Sequence, residues 1–450
     1  TNHRPLHIAM AMVYRRLNNA KKLIFHFSKI IESKKFISAD LCSYGYWRCF
    51  DKEWKQIDFS NYGKFLDQNL KVLPQNQLIK ISEVPGSKIR IGFLSSDILS
   101  GHSITYFLKT ILFNYDKKKF EIILILNNSK EDKSTEDFKR EVNESINISK
   151  LNNIDSVNKV RELKLDIIID LMGYTSTQRI DLFKNRMAKN QIIWMGYCNT
   201  TGLKNMDFII SDPNLIKSNE EKFYSEKVIY LPKIWNSHCG FEYKRVYNEL
   251  PYKKKDYFTF GSFNNFMKVN DEDLNTWIKI LKQVKNSRLV LKSSLFLCEE
   301  VIKEKFEKEG LSNSIEIQKK TKREDFLSHI NLYDRIDLCL DTFPFTGVTT
   351  TFEALWKNVP VITRAGYNFN SRCGESILKN ANIENFIAKS NDDYVEKAVY
   401  FANNINELEK IRKNLFNKIL ETPLFDTKRF SINFCEALEN MQKIKSGDYK

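Results

Sequence analysis

The chain has 450 residues, of which 42% are hydrophobic, and this is enough apolar side-chain surface for two or three well-buried domains. No apolar run approaches the roughly 18 residues that a membrane-spanning helix needs, and no charged-then-apolar leader is visible, so neither a transmembrane segment nor a signal peptide is predicted. The formal net charge is +15, but the basic residues are scattered, which favours a site for an anionic ligand over a nucleic-acid surface.

The eight cysteines include no CxxC pair, the spacing that is typical of zinc sites. One of them, Cys339, lies inside an apolar strand pattern. Free thiols in a reducing compartment fit this distribution better than disulfides do, and we therefore predict a cytoplasmic protein without a structural metal.

The first 85 residues read as helices. Two short amphipathic helices, 9–17 and 20–33, flank a turn at Asn18 and Asn19, and further helical segments follow. This pattern fits either a degenerate terminal tetratricopeptide repeat or a plain helical lead-in. The dipeptide Pro85-Gly86 is predicted to end the segment.

From Lys88 onward, short apolar runs alternate with helical patterns, which is typical of an α/β fold. The runs predict a first doubly wound, Rossmann-like domain over residues 88–235 and, after a polar connector, a second over 256–425. A last helix over 427–450 is expected to pack back across the first domain. Two such domains facing each other across a cleft form the GT-B arrangement, one of several two-domain α/β architectures that fit this pattern.

The clearest site signal is a strand–loop–helix–strand unit between residues 336 and 366. An apolar strand at 337–340 leads through a loop, broken by proline and glycine, into a helix that begins with Thr349–Thr351. At the first turn of a helix, free backbone N–H groups and the positive end of the dipole attract an anion, and Glu353 is placed to accept from sugar hydroxyls. A nucleoside diphosphate needs this set of groups; the alternative is that the threonines only cap the helix.

Further polar or glycine-rich loops directly follow predicted strands. Because the carboxyl ends of parallel strands share one edge of a sheet, and such loops are poor core material, their clustering predicts a ligand-binding cleft. These loops are Ser95–His102, Gly173–Thr175, Gly196–Gly202, Ser262–Lys268 and Ala365–Glu375.

Several long motifs occur in order: SSD…HSITYF, DLMGYT, WMGYCNTTG, FTFGSFNNFMKV and DTFPFTGVTTTFEALW. From about Lys88 to the C-terminus the chain resembles the catalytic region of the SPINDLY and O-GlcNAc transferase family, and SPINDLY more closely. The resemblance implies a GT-B fold, a nucleotide-sugar donor, inverting transfer to Ser or Thr hydroxyls of proteins, and neither a required metal nor a prosthetic group. In that family, tetratricopeptide repeats precede this region and select substrates.

The resemblance also assigns roles to residues of the second domain. Lys268 matches the lysine that neutralises the leaving diphosphate, and physics agrees, because that departure needs a fixed cation or a metal. Asn265 takes the place of a polar phosphate contact. Thr349 and Thr350 match the phosphate-binding pair, with Thr351 in the same turn.

Other assignments concern the sugar, the base and the acceptor. Glu353 matches an acidic residue that holds the ribose, and Arg372 falls where O-GlcNAc transferases keep an arginine near the base. His102 matches a histidine that faces the sugar and the acceptor. Asp97 and His102 are the candidates for the general base, by location only. Gly196, which opens the loop GYCNTTG, is counted with the donor-binding residues.

The donor stays open between UDP-GlcNAc and GDP-fucose. Val348 stands where O-GlcNAc transferases have a sugar-contacting histidine, which favours the SPINDLY type and GDP-fucose, whereas Arg372 favours the other donor. The run Asp271–Asp273 resembles a metal-binding DxD motif but opens a predicted helix, so capping is the expected role and no metal is assigned.

The expected partners are thus a nucleotide sugar and a protein or peptide acceptor, with no nucleic acid and no membrane span; the oligomeric state stays open. Three alternatives remain. The first is another GT-B glycosyltransferase that acts on a glycan or a lipid, or a nucleotide-sugar epimerase. The second is a non-catalytic nucleotide-sugar-binding protein, and the third is a nucleic-acid binder suggested only by charge.

Overall fold

The fold begins with a helical segment ahead of the first strand, as the sequence predicts. The computed structural model describes residues 3–82, 86, 88–175, 178–293, 296–319, 321 and 325–442. Pro85, the predicted boundary, lies outside these residues. The lead-in helices are α1 (Arg4–Arg16), α2 (Ala20–Glu32), α3 (Ser38–Arg48) and α4 (Gln56–Asn69).

The first α/β region contains a seven-stranded sheet whose neighbouring strands are all parallel. Its strands are β1 (Ile89–Ser95), β2 (Phe120–Leu126), β3 (Glu144–Asn147), β4 (Ile167–Asp170), β5 (Asn190–Ile193), β6 (Phe208–Ser211) and β7 (Lys227–Tyr230). They lie in the order β3-β2-β1-β4-β5-β6-β7. Every residue of β4, β5 and β6 is buried, as expected for parallel strands covered on both faces.

The helices of this region are α5 (Ser103–Leu112), α6 (Lys133–Glu141), α7 (Asn153–Glu162) and α8 (Ile180–Phe183). The strand β3 was not predicted, because its sequence ESIN is short and polar and carries no apolar run.

The second α/β region repeats the design with a six-stranded sheet, again parallel throughout. Its strands are β8 (Phe258–Ser262), β9 (Ser287–Ser293), β10 (Ile315–Lys319), β11 (Leu338–Leu340), β12 (Val361–Arg364) and β13 (Ile387–Ala388). Their order is β10-β9-β8-β11-β12-β13, which is the doubly wound order 3-2-1-4-5-6 when the strands are numbered within the sheet. The predicted α/β class is therefore confirmed.

The helices that follow these strands are α9 (Asp271–Gln283), α10 (Phe296–Lys308), α11 (Phe326–Asn331), α12 (Thr349–Trp356), α13 (Phe369–Asn380), α14 (Asn391–Asn403), α15 (Ile405–Lys418) and α16 (Thr427–Gln442). The start of α13 corrects an expectation, because Ala365–Glu375 reads as a loop in the sequence. Asn368 caps this helix in a capping box with Ser371, so the chain is already helical at Phe369.

Contacts between residues divide the chain into two compact units. One unit comprises Thr1–Lys35, Trp47–Glu53 and Gly240–Phe425, and therefore holds α1, α2 and the second sheet. The other comprises Phe36–Tyr46, Trp54–Cys239 and Asp426–Lys450, and holds the first sheet together with α16.

The last helix returns to the first sheet, as predicted. The ring of Phe434 lies 4.6 Å from that of Trp194, which follows β5, and Lys119 forms an ion pair with Glu439. The predicted continuation over 443–450 lies outside the described residues. Within the described parts of the chain, no helix is both long and apolar enough to cross a bilayer.

Each sheet has one point at which the strand order reverses. In the second sheet this switch point lies between β8 and β11, and in the first it lies between β1 and β4. The loops that leave the carboxyl ends of the two central strands diverge there, and ligands of open α/β sheets bind in the crevice that results. The loop 262–268 and the loop 341–348 flank the switch point of the second sheet.

Candidate functional site

Asn264 joins the two loops at the switch point of the second sheet. Its amide nitrogen donates to Asp341 Oδ1 at 2.9 Å and to Thr342 Oγ1 at 3.2 Å. Its amide oxygen accepts from Thr350 Oγ1 at 2.5 Å. The side chain is buried, so these hydrogen bonds fix the loop after β8 against both the end of β11 and the first turn of α12.

Asp341 shapes the loop that leads from β11 to α12. Its carboxylate accepts from Thr342 N at 2.9 Å, Gly347 N at 2.7 Å and Thr363 Oγ1 at 2.7 Å. Burial raises the pKa of this carboxyl, whereas the hydrogen bonds and the Lys268 charge act in the opposite direction. With its oxygens already engaged, Asp341 holds the loop in place rather than offering a ligand.

Lys268, at the end of the loop after β8, also contacts the loop that leads from β11 to α12. Its ammonium group donates to the carbonyl oxygen of Thr346 at 2.7 Å and lies 4.1 Å from the centre of the Phe345 ring. The side chain is half-buried, and because partial burial lowers the effective dielectric constant, its charge interacts more strongly with nearby groups than a fully exposed charge would. The structure therefore brings the predicted lysine to the loop that precedes the threonine-rich helix.

The helix α12 begins without a side-chain cap. Val348 occupies the capping position and supplies no side-chain hydrogen bond, and its carbonyl accepts from the N–H groups of Thr351 at 3.0 Å and Phe352 at 3.1 Å. Thr349 and Thr350 are the first two residues of the helix, whose N–H groups have no acceptor within a helix. They are half-buried, so this is a helix start at which an anion can be held.

Gly347 gives this turn its shape. A Cβ atom at that position would lie 2.8 Å from each of Asn264 Oδ1, Thr350 Oγ1 and Thr351 Oγ1. Three oxygen atoms thus crowd one side of the loop at a separation that no side chain tolerates, and only glycine fits there.

Glu353 lies one turn further along α12 and is 5% exposed. Its Oε2 accepts from the Tyr333 hydroxyl at 3.0 Å and faces His329 Nε2 at 2.9 Å. Tyr333 and His329 come from α11 and the turn after it, and sequence reasoning missed both. Neither carries a motif, so no sequence signal would have singled them out.

The two remaining predicted residues of this unit have structural partners. Asn265 is exposed, and its side chain accepts from Met267 N at 3.2 Å, which caps a short turn. The buried Arg372 lies on α13, where its Nε donates to Gly366 O at 3.1 Å. The contact that joins the loop after β8 to the first turn of α12 is made by the neighbouring Asn264, and the phosphate contact of Asn265 stays a prediction.

The acidic run Asp271–Asp273 forms the first turn of α9, and one of its members, Asp273, takes part in the cap. Asn270 is the capping residue, and it forms a capping box with Asp273, whose carboxylate also accepts from Phe343 N at 3.1 Å. Among the residues that the structure describes, no group of three or more His, Cys, Asp or Glu side chains is arranged to hold a metal ion.

In the unit that holds the first sheet, His102 and Asp97 lie together after β1. His102 Nε2 is 3.7 Å from Asp97 Oδ1, and its Nδ1 accepts from Ile104 N at 3.4 Å, which caps α5. Gly196 has a packing role, because a Cβ there would lie 2.0 Å from the carbonyl oxygen of Leu171.

A cavity of about 1140 Å³ lies within the unit that holds the second sheet and reaches Lys268. Its walls come from the turn between α1 and α2, the segment 48–53, and helices α9 and α10. Both apolar and charged side chains line it; they include Leu17, Lys21, Phe25, Phe50 and Lys52.

The chain is similar to known proteins in both sequence and fold. The family model described as Glycosyl transferase family 41 matches residues 65–254 and 243–434. A probable UDP-N-acetylglucosamine–peptide N-acetylglucosaminyltransferase SPINDLY from Solanum lycopersicum is 31% identical over 383 residues, which cover 83% of this chain and 40% of that protein. The probable enzyme SEC of Arabidopsis thaliana, given the same activity, is 29% identical over 364 residues, covering 77% of this chain and 36% of that protein. The chain thus spans about two fifths of the length of these relatives.

Among solved structures, a mutant of the Thermobaculum terrenum O-GlcNAc transferase superposes with a TM-score of 0.89 at 21% identity, covering 98% of this chain and 84% of that one. This likeness confirms the predicted GT-B fold with its helical N-terminal segment. The family model covers most of the chain, and the SPINDLY and O-GlcNAc transferase resemblance is confirmed: the chain belongs to glycosyl transferase family 41.

Proposed function

We propose that this chain is an inverting protein O-glycosyltransferase, which moves a sugar from a nucleoside diphosphate sugar to Ser or Thr hydroxyls of a polypeptide. One observation carries the proposal: at the switch point of one sheet, Lys268 donates to Thr346 O in the loop that leads into the uncapped start of α12, and Asn264, from the same loop as Lys268, accepts from Thr350. A cation beside a helix N-terminus and hydroxyl donors is suited to a diphosphate.

The mechanism follows from where charge develops. The acceptor oxygen forms a bond to the anomeric carbon as the bond from that carbon to the diphosphate oxygen breaks, so one displacement inverts the anomeric centre. The electron pair leaves with the diphosphate, where Lys268, the N–H groups of Thr349 and Thr350 and the hydroxyl of Thr349 stabilise it. The Thr350 hydroxyl is already donated to Asn264 Oδ1, so Thr350 contributes through its backbone N–H. The hydroxyl proton passes to a general base, for which Asp97 and His102 are the candidates.

The donor is a nucleotide sugar, and two are considered. The printed names of the relatives specify UDP-N-acetylglucosamine. Val348, at the end of the phosphate loop, stands in place of a sugar-contacting histidine and favours GDP-fucose instead. We place UDP-GlcNAc first because the named relatives support it, and Glu353 is assigned to the ribose, which both donors share.

The acceptor is assigned to the cavity beside Lys268, whose mixture of apolar and charged walls suits a polypeptide. Phe25, which is 52% exposed and lines this cavity, provides the test. The substitution Phe25→Asp is expected to raise KM for a peptide acceptor while donor hydrolysis stays unchanged. Leu420→Asp, at an exposed position that is 45% accessible, is the control and should alter neither. An unchanged acceptor KM in Phe25→Asp would remove the cavity from the acceptor path.

The proposed function is tested with a donor panel and a polypeptide acceptor. The protein is incubated with UDP-GlcNAc or GDP-fucose and an unfolded Ser/Thr-rich protein, and the products are read by mass spectrometry with and without a chelator. Transfer to polypeptide from one donor, insensitive to the chelator, is expected. Transfer only to glycan or lipid acceptors would favour another GT-B enzyme, and donor binding without hydrolysis or transfer would favour a non-catalytic binding protein.

A further inference from the structure

A line of buried polar groups extends from β9 to the middle of α12. Lys292, on β9, is 9% exposed, and its ammonium nitrogen lies 2.6 Å from His329 Nδ1 and 2.9 Å from Thr321 Oγ1. The other ring nitrogen of His329 is 2.9 Å from Glu353 Oε2. The Tyr333 hydroxyl donates to that same oxygen at 3.0 Å. Lys292, His329, Glu353 and Tyr333 therefore form one continuous group, referred to below as the relay.

The ammonium group of Lys292 determines which ring nitrogen of His329 carries the proton. An ammonium group has only donors, so His329 Nδ1 must accept from Lys292. In the neutral imidazole the other nitrogen then carries the proton, and Nε2–H donates to Glu353. This fixes the ring in one tautomer and one orientation. An unpaired buried carboxylate would be costly, and the relay supplies it with donors and a nearby cation.

The relay also determines which oxygen of Glu353 stays available. Both hydrogen bonds fall on Oε2, and within the described residues none falls on Oε1. The Tyr333 hydroxyl in addition lies 3.2 Å from the carbonyl oxygen of Thr350, so the same relay contacts the turn assigned to the diphosphate. The carboxylate is thereby held rigidly, with one oxygen engaged and one free to accept.

We propose that Lys292 is a positioning residue for the nucleoside half of the donor, acting through His329 to present Glu353 Oε1 to the ribose hydroxyls; this rests on the proposed function, which assigns Glu353 to the ribose. Lys292 does not contact the donor itself. It makes the relay a specificity element for ribonucleotides, since a precisely oriented acceptor distinguishes a ribose hydroxyl from its absence.

The test compares Lys292→Met with the unaltered chain by calorimetric titration with UDP and GDP. We expect Kd for the nucleotide that binds to rise about tenfold to hundredfold, as is typical when a group that orients a ligand-binding side chain is removed. The discrimination against the corresponding 2′-deoxynucleotide should shrink in parallel. In transfer assays the donor KM should rise much more than kcat falls, because Lys292 is far from the breaking bond in this assignment.

Nitrogen-15 NMR of the histidine side chains reads the relay directly. His329, identified by its loss in His329→Ala, should show a single Nε2–H tautomer in the unaltered chain and a mixture of tautomers in Lys292→Met. A double-mutant cycle completes the test, because Lys292→Met should add nothing to the affinity loss already caused by His329→Ala. Additive losses, or an unchanged tautomer, would overturn the proposal.

Lys357 offers a matched control for the loss of a buried cation. It is 8% exposed, follows α12 directly and pairs with Asp334 at 2.6 Å. Lys357→Met should lower the melting temperature and leave nucleotide affinity unchanged. Since the binding and NMR measurements need no acceptor and no turnover, an absence of glycosyl transfer would refute the proposed function alone, whereas wild-type nucleotide affinity in Lys292→Met would refute the relay alone.

Discussion

Replacing Lys268 by methionine separates the charge of this residue from its shape. The ammonium group donates to Thr346 O at 2.7 Å and lies 4.1 Å from the centre of the Phe345 ring. Each of these two contacts is worth about 1 kcal/mol, so losing both costs about 1–2 kcal/mol of folding stability. Native domains are stable by roughly 5–15 kcal/mol, and Lys268→Met is therefore expected to stay folded.

The loss to catalysis should be larger, because the ammonium group is fixed in place before the diphosphate departs. Two unit charges about 4 Å apart attract by about 4 kcal/mol at the effective dielectric of a half-buried site. Removing one preorganised group of this kind elsewhere costs about 2.7–4 kcal/mol. We therefore expect kcat for transfer to fall by about a hundredfold to a thousandfold, and affinity for the nucleoside diphosphate to fall as well.

The assay measures initial rates of transfer at saturating donor, with circular dichroism melts on the same samples. Lys305→Met is the control, since Lys305 is a partly buried cation of the same unit that pairs with Asp271 at 3.1 Å, outside the loops 262–268 and 341–348. A folded Lys268→Met variant whose kcat stays within a few-fold of the unaltered chain would refute the assignment of this lysine to the leaving group.

Two further predictions follow from the geometry. Gly347→Ala places a methyl group 2.8 Å from three oxygen atoms and should weaken nucleotide binding by calorimetry, whereas Gly310→Ala, with φ +73° and nothing within 4 Å of the new Cβ, should cost only stability. Burial lowers the pKa of His238 to about 3, below its ordinary 6.5, so the stability that it contributes is lost as pH falls from about 6.5 towards 3. The variant His238→Phe keeps an aromatic ring against Tyr106 but cannot be protonated. On acidification its free energy of unfolding, measured with urea, should therefore fall by about 4 kcal/mol less than that of the unaltered chain. An equal dependence of this free energy on pH in the two proteins would contradict this reasoning.

The parts of the fold that could be predicted from the sequence are those whose physics is local. Runs such as 120–126 and 167–170 are almost entirely apolar, with Glu121 and Asp170 as the exceptions, which is typical of strands buried on both faces, and they are strands in the structure. The strand β3 was not predicted, because an edge strand needs little apolar surface and forms its backbone hydrogen bonds with β2. The first turns of α13 were not predicted, because the start of that helix is marked by a capping box and not by a periodic pattern of apolar residues.

The same distinction applies to the candidate site: some of its features could be predicted from the local sequence, and others depend on the packed structure. That the loop carrying Lys268 lies beside the loop that leads to Thr349 and Thr350 could be predicted, because loops that follow adjacent parallel strands meet at one edge of the sheet. Which asparagine bridges the two loops could not. Asn264 and Asn265 are neighbours of the same type, and only the direction of the chain as it leaves β8 decides that Asn264 is buried against Thr350 while Asn265 is exposed.

The relay shows why burial around a site is harder to anticipate than the site itself. Glu353 stands out in the sequence because it lies one turn after the threonines, but the groups that orient it come from β9 and from the region of α11, and pairing them requires the packed structure. The contacts of an ionised side chain in a core are set by the demand that no charge stays unpaired, and that demand is met by whichever donors the fold brings near.

The start of α12 differs from several other helix starts in this chain because no side chain caps it. Helices in this chain commonly begin with a side-chain cap, for example Asn19 on α2, Asp132 on α6 and Asn270 on α9, and each such cap is worth about 1 kcal/mol. At α12 the capping position is Val348, which has no group to offer. The helix thus forgoes a stabilisation that its neighbour α13 receives from Asn368, and Lys268 from the adjacent loop donates to Thr346 O in the loop that leads into α12. A bound diphosphate would supply the missing acceptors, so the folded chain and its ligand complete the same set of hydrogen bonds.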